Sequence, residues 1–132
     1  VVSIHVPLNK HTRNMIAWEQ MQMMKPGAYF VNVSRGGVVN EQDLIRALQE
    51  GVIRGAGLDV FENEPIEENS PLFALDNVIL TPHTAALTDE CVVRMATEAA
   101  KRVIDLFNGF EPEKIANPDV LKLEKWQQLK KR

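Results

Sequence analysis

Asn77-Val-Ile-Leu-Thr-Pro-His-Thr84 decides how the rest of this sequence is read. Val78-Ile-Leu80 is apolar and β-branched at two of three positions, the composition of a short buried strand. Thr81-Pro82 stops it, because proline cannot donate to a ladder. His83 is thereby delivered at the mouth of a strand, where an imidazole can exchange a proton near neutral pH. Taken alone, His83 has a plainer reading as a capping or packing histidine. What its neighbours along the chain deliver decides between the two.

Working outward, the pattern repeats. Residues 1–6 have a β-branched bias and end at Pro7, residues 28–33 follow a Lys25-Pro26-Gly27 turn, and residues 55–60 follow Gly51, so each reads as a strand. Helices alternate with them. A short one is expected over 17–24. A second is capped by Asn40, with Glu41 and Asp43 in its first turn, and runs to about residue 50. An acidic loop, 62–69, and a loose turn at 71–75 precede the Val78 strand. The longest helix is expected over 88–108, with Val92, Ala96, Ala99, Ala100, Val103 and Phe107 at helical spacing. A polar stretch, 110–132, ends in Lys130-Lys131-Arg132 and carries a possible helix from about Asp119; its basic end reads as a solvated tail.

Strands alternating with helices specify an α/β fold with a parallel sheet. All strands of such a sheet run one way, so their carboxyl ends share one edge, and ligands bind along that edge. Composition agrees with a globular domain: 132 residues, 45% apolar, 25% charged, net charge −3. There is no basic excess for nucleic acid, no apolar run of membrane-helix length and no metal-ligand spacing. The single Cys91 cannot form an internal disulfide and is expected to pack; a reducing, cytoplasmic setting follows as the expectation. Trp18 and the Met21/Met23/Met24 cluster are expected to fill core. The sequence opens inside a strand, as a piece of a longer chain would.

The predicted edge gathers Arg35 after the second strand, Asp59 after the third, Glu62 and Glu64 in the following loop, and His83 after the fourth. Arg35 offers a planar fork for a carboxylate, and a glutamate beside His83 favours the charged imidazolium. The group suits a small anionic molecule and proton transfer. Each residue also has a plainer reading: Arg35 as a surface arginine, Asp59 as a binder of turn amides, the glutamates as solvated loop charges. His5 and His11 have no partner pattern and are taken as structural or exposed.

Five blocks then carry a family resemblance: His5-Val-Pro-Leu…Thr12, Met24-Lys-Pro-Gly27, Asn32-Val-Ser-Arg-Gly-Gly37, Gly57-Leu-Asp-Val-Phe-Glu-Asn-Glu-Pro65 and Asn77-Val-Ile-Leu-Thr-Pro-His83. In this order they resemble the D-isomer-specific 2-hydroxyacid dehydrogenases, over about residues 1–108. The resemblance implies a Rossmann-like parallel sheet: the second half of a dinucleotide-binding domain over 1–109, including the long helix, then a polar tail over 110–132. It implies NAD as cofactor, NADP not being excluded, a small D-2-hydroxy or 2-keto acid as substrate, and a homodimeric full-length protein. By position, Arg35 would bind the substrate carboxylate, His83 would exchange the proton, and Glu64, preferred over Glu62 because it directly precedes Pro65, would orient His83. Asp59 would hydrogen-bond the nicotinamide carboxamide, with Val6, Pro7, Thr12, Val33, Ser34 and Ala85 along the cofactor.

The family's G-x-G-x-x-G loop, which holds a pyrophosphate at a helix N-terminus, does not occur in these 132 residues. Residues 1–132 alone are therefore expected to bind NAD weakly or not at all and to turn over no substrate, while the parent protein is expected to be an enzyme. A non-catalytic relative that senses NAD, of a corepressor type, is the alternative reading.

Overall fold

In the computed structural model, which describes residues 1–130, four strands make one parallel sheet in the order β1-β2-β3-β4. They are β1 (Val2–Ile4), β2 (Tyr29–Asn32), β3 (Gly55–Leu58) and β4 (Val78–Leu80). Sequential strands are spatial neighbours, as short crossovers favour. The expected α/β fold and the parallel direction are both present. The first three strands are shorter than the runs 1–6, 28–33 and 55–60 suggested, their end residues lying outside the ladder. The register aligns Ile4, Asn32, Leu58 and Leu80 across the sheet. The residues just beyond this row form the carboxyl edge.

Helix α1 (Trp18–Gln22) and helix α2 (Glu41–Gln49) pack together. The Asn40 side chain accepts from the Asp43 amide at 3.0 Å, so the predicted cap is made. Asp43 in turn accepts the Trp18 amide at 3.0 Å, and the Arg46 guanidinium lies 3.8 Å from the Trp18 ring centre, which ties the two helices by their ends. Phe30, Met21, Val38, Ile53 and Leu72 are fully buried at the centre of the core. Burying each such side chain contributes about 1.5–3 kcal/mol. Met21 is core, but Met23 is 84% exposed, because the short α1 turns only one face inward. Leu72 comes from a 3-10 turn (Pro71–Ala74) in the long connection between β3 and β4. It is fully buried in the core.

The chain forms two compact units, Val1–Ala85 and Ala86–Arg132. The first holds the sheet, α1 and α2. The second is built on helix α3 (Asp89–Phe107), capped by Thr88 accepting from the Cys91 amide at 3.2 Å. Cys91 is half-buried in the first turn of α3. The helical apolar stripe of α3 is exposed, Phe107 to 86%. In place of the possible helix from Asp119 there are two short 3-10 turns, Pro118–Lys122 and Glu124–Trp126. Pro118 starts the first, and Leu123 is extended and breaks them apart. The stretch after α3 closes on itself: Lys130 donates its amide to the Gly109 carbonyl, and Glu111 donates to the Lys130 carbonyl, both at 2.8 Å. Arg102 meets Glu98 at 2.8 Å and Glu113 at 2.9 Å in the same unit. Lys131 and Arg132, the end of the expected basic tail, lie outside the described residues.

Candidate active site at the carboxyl edge of the sheet

Two buried polar residues organise the edge. Asn32 ends β2 and is 2% exposed. Its side-chain oxygen accepts from the Ser34 amide at 3.0 Å and the Ser34 hydroxyl at 2.9 Å, and its amide nitrogen donates to the Arg35 carbonyl at 3.0 Å. The Arg35 loop is thus folded around one side chain. Sequence reading missed this role, although a buried-strand asparagine just before Ser-Arg-Gly-Gly was the available signal. Asp59, 3% exposed, plays the matching part after β3. It accepts from Thr81 Oγ1 at 2.5 Å, the Thr84 amide at 2.8 Å and the Ala85 amide at 2.9 Å. Burial pushes its carboxyl up, but those three hydrogen bonds and the nearby His83 outweigh this and hold it below the usual aspartate value.

His83 sits just beyond β4 in a left-handed backbone conformation, φ 55°. A non-glycine residue there costs roughly 1–2 kcal/mol, which the surrounding hydrogen bonds must offset. Its Nδ1 lies 2.7 Å from Glu64 Oε2. An ionised carboxylate only accepts, so Nδ1 is the donor. Glu64 Oε1 accepts the Phe61 amide at 3.1 Å, so both its oxygens are engaged. The His83 hydrogen bond, with help from the Phe61 amide and the charges of His83 and Arg35, overcomes burial and holds Glu64 below the usual glutamate value. Glu62 is not the partner of His83; its amide donates to Glu41 Oε2 at 2.9 Å. The imidazole is left with Nε2 free of any hydrogen-bond partner among the described residues and a side chain 47% exposed. Phe61, Pro65, Ile66 and Pro82 join Glu64 and His83 around a largely apolar pocket of about 380 Å³.

Arg35 is exposed, its Nη1 donating to the Ser34 carbonyl at 2.6 Å. Gly36 explains how the Arg35 loop comes against the Glu64 loop. A Cβ there would lie 1.8 Å from the Phe61 carbonyl oxygen and 2.6 Å from the Glu62 nitrogen. Only glycine lets the two backbones touch. Beyond β1, Thr12 Oγ1 donates to the Pro7 carbonyl at 2.6 Å and accepts the Asn9 amide at 2.9 Å, closing the loop after Val6. Val33 is 38% exposed at the same edge. His5 is tied to Ser3, its Nε2 2.8 Å from the hydroxyl.

The lowered value of Glu64 has a consequence for stability. Its carboxylate is favoured by folding, so its contribution is present above the ordinary value of 4.5 and is lost as pH falls through the lower folded value. Glu64→Gln is expected to flatten the acid limb of the stability profile. Thermal unfolding followed from neutral pH to below 4.5 checks this; an acid limb as steep as that of the wild type would refute it.

A parallel sheet whose carboxyl edge carries a carboxylate-paired histidine and an arginine defines an α/β domain with a polar strand-end site, and comparison with known proteins gives its family. The family model for the D-isomer specific 2-hydroxyacid dehydrogenase NAD binding domain matches residues 1–85. The chain belongs to that family, and the fold is that of its Rossmann-like NAD-binding domain. It is 46% identical over 130 residues to a glyoxylate reductase of Thermofilum pendens, an alignment covering 98% of this chain and 38% of that protein. Among solved structures, D-lactate dehydrogenase with NAD+ from Lactobacillus jensenii superposes with a TM-score of 0.78 at 33% identity, covering 87% of this chain and 38% of that one. A D-isomer specific 2-hydroxyacid dehydrogenase from Xanthobacter autotrophicus, in complex with NADPH and MES, gives 0.77 at 37% identity, covering 90% and 48%. The chain thus spans under two fifths of the curated relative's length. Among the described residues no helix is long and apolar enough to cross a membrane.

Proposed function

We propose that this chain is the part of an NAD-dependent oxidoreductase that manages the proton and the substrate carboxylate while hydride passes between the nicotinamide and a small D-2-hydroxy or 2-keto acid. The observation that carries this reading is the His83–Glu64 pair: Nδ1 is held at 2.7 Å and Nε2 is left open at a strand end. A module that only sensed NAD would have no use for a pre-oriented imidazole.

When bound, the nicotinamide supplies the hydride, and the protein supplies position and charge. The nicotinamide end of the cofactor would lie along this edge, with Val6 and Val33 as apolar surface beside the polar Thr12, Ser34 and Ala85 backbone. Pro7 shapes the loop between them. Arg35 binds the substrate carboxylate through its planar fork. His83 Nε2 gives a proton to the substrate oxygen during reduction and takes it back during oxidation. Glu64 keeps the imidazole in the tautomer that leaves Nε2 to the substrate and stabilises its charged form. The full-length protein is read as a homodimer in a reducing, cytoplasmic setting.

The test is turnover by the full-length protein that contains this chain. With NADH or NADPH and a panel of small 2-keto acids such as glyoxylate and pyruvate, loss of the reduced nicotinamide absorbance is expected for at least one acid. Nicotinamide binding without oxidation or reduction of any 2-keto or 2-hydroxy acid would overturn the proposal.

A further inference from the structure

We infer that Glu41, at the start of α2, is a positioning residue for Glu64 and through it for His83, resting on the reading of that pair as the proton-transfer machinery. A glutamate in the first turn of a helix ordinarily faces water and complements the helix dipole. Glu41 is half-buried, and its Oε2 accepts the Glu62 amide at 2.9 Å, from a residue 21 positions along the chain. The preceding residue, Phe61, donates its amide to Glu64 Oε1 at 3.1 Å. Two successive amides of one loop are thus bound to two carboxylates. One belongs to the loop itself, and the other is brought to it by α2.

The start of α2 is well anchored. The Asn40 amide donates to the Ile16 carbonyl at 2.9 Å, and the Ile16 amide donates to the Val38 carbonyl at 3.2 Å. Val38 and Val39 are buried, and the Asn40 side chain caps the helix at the Asp43 amide. Gly36, in the same stretch, lies so close to the Phe61 carbonyl and the Glu62 nitrogen that no Cβ fits. Residues 35–41 therefore carry Arg35 at one end and grip the Glu64 loop twice, by the backbone of Gly36 and by the side chain of Glu41. One anchored piece of chain sets both the arginine and the carboxylate that orients the imidazole. Glu64 follows two residues after the held amide, and its Oε2 reaches Nδ1 of His83 at 2.7 Å. Without the Glu41 carboxylate the Glu62 amide turns to water, and the loop that aims Glu64 loses its tie to α2.

Two variants of the full-length protein test this, Glu41→Ala and Glu41→Gln. Alanine removes the acceptor; glutamine keeps an acceptor oxygen and drops the charge. Glu41→Ala lowers kcat for keto-acid reduction by about tenfold, since small misplacements of a reacting group are costly, and leaves the NADH dissociation constant within about twofold. Glu41→Gln recovers most of the loss, which a contribution from charge at the helix start would not allow. Hydrogen exchange at the Glu62 amide, faster in Glu41→Ala than in the wild type or in Glu41→Gln, reports the tie without reference to turnover. The Nδ1 proton resonance of His83 moves in Glu41→Ala and stays in place in Glu41→Gln. Wild-type kcat in Glu41→Ala would overturn the inference, as would unchanged exchange at the Glu62 amide. Equal losses in the two variants would give the effect to charge instead, and a matching loss of NADH affinity would give it to the cofactor site. Should His83→Ala keep full turnover, the proton-transfer reading itself fails; that failure is told apart from a missing tie by the Glu62 exchange, which does not depend on turnover.

Discussion

His83→Ala in the full-length protein is expected to lower kcat for 2-keto acid reduction by about 10²–10⁴-fold, the usual contribution of a positioned general acid–base. NADH affinity should stay close to that of the wild type. The side chain touches Glu64 and open space, not the sheet core, so its removal deletes a proton donor without disturbing the strands. Alanine also leaves Glu64 with its Phe61 amide bond and exposure enough to be hydrated, so folding should survive. Stopped-flow or steady-state assays with nicotinamide fluorescence titration separate the two quantities. A variant with unchanged kcat would place proton transfer on another group. A variant that lost NADH binding in the same proportion would make His83 a cofactor ligand instead.

Gly36→Ala is expected to be the most damaging small substitution in the first unit. The added carbon would stand 1.8 Å from the Phe61 carbonyl oxygen, a backbone atom that cannot swing aside as a side chain would. One of the two loops must move, and overpacking of this kind costs about 1–3 kcal/mol or more. A loss of 1 kcal/mol lowers the melting temperature of a domain this size by roughly 4–8 °C. Function should suffer beyond stability, because the loops forced apart carry Arg35 on one side and Glu64 on the other. The expected signature is a raised KM for the keto acid together with the lower melting point. Gly51→Ala is the control: nothing lies within 4 Å of its Cβ, though its φ of 69° makes alanine strained. It should lower the melting point and leave KM alone. Equal KM values in Gly36→Ala and the wild type would show that the two loops are not coupled to substrate binding.

The parts of this structure that were legible in the sequence are those written in local spacing. Asn40 and Thr88 cap their helices because a short polar side chain three residues before a free amide is enough to do so. The parallel direction of the strands followed from alternation, and Pro7 and Pro82 marked where two strands stop. His83, Arg35 and Glu64 were visible as strand-end or loop polar residues, and the structure brings His83 and Glu64 into contact. What stayed hidden depends on residues far apart in the chain. The Asp59 hydrogen bonds span 22 to 26 residues, and no periodicity announces them. Gly36 reads as an ordinary turn glycine until Phe61 is set against it. Met23 looked like core because its neighbours are, yet a five-residue α1 has room to bury only one face.

The hydrogen bond from Thr81 to Asp59 has one more effect, on assembly of the sheet itself. Side chains of adjacent strand residues point to opposite faces, so sliding β4 by one residue along β3 would turn Thr81 away from Asp59. The misaligned sheet would bury a carboxylate stripped of its donors, which is far costlier than a merely loose apolar contact. The hydrogen bonds to Asp59 therefore also act as a checksum on strand alignment, favouring the native register over one shifted by a residue.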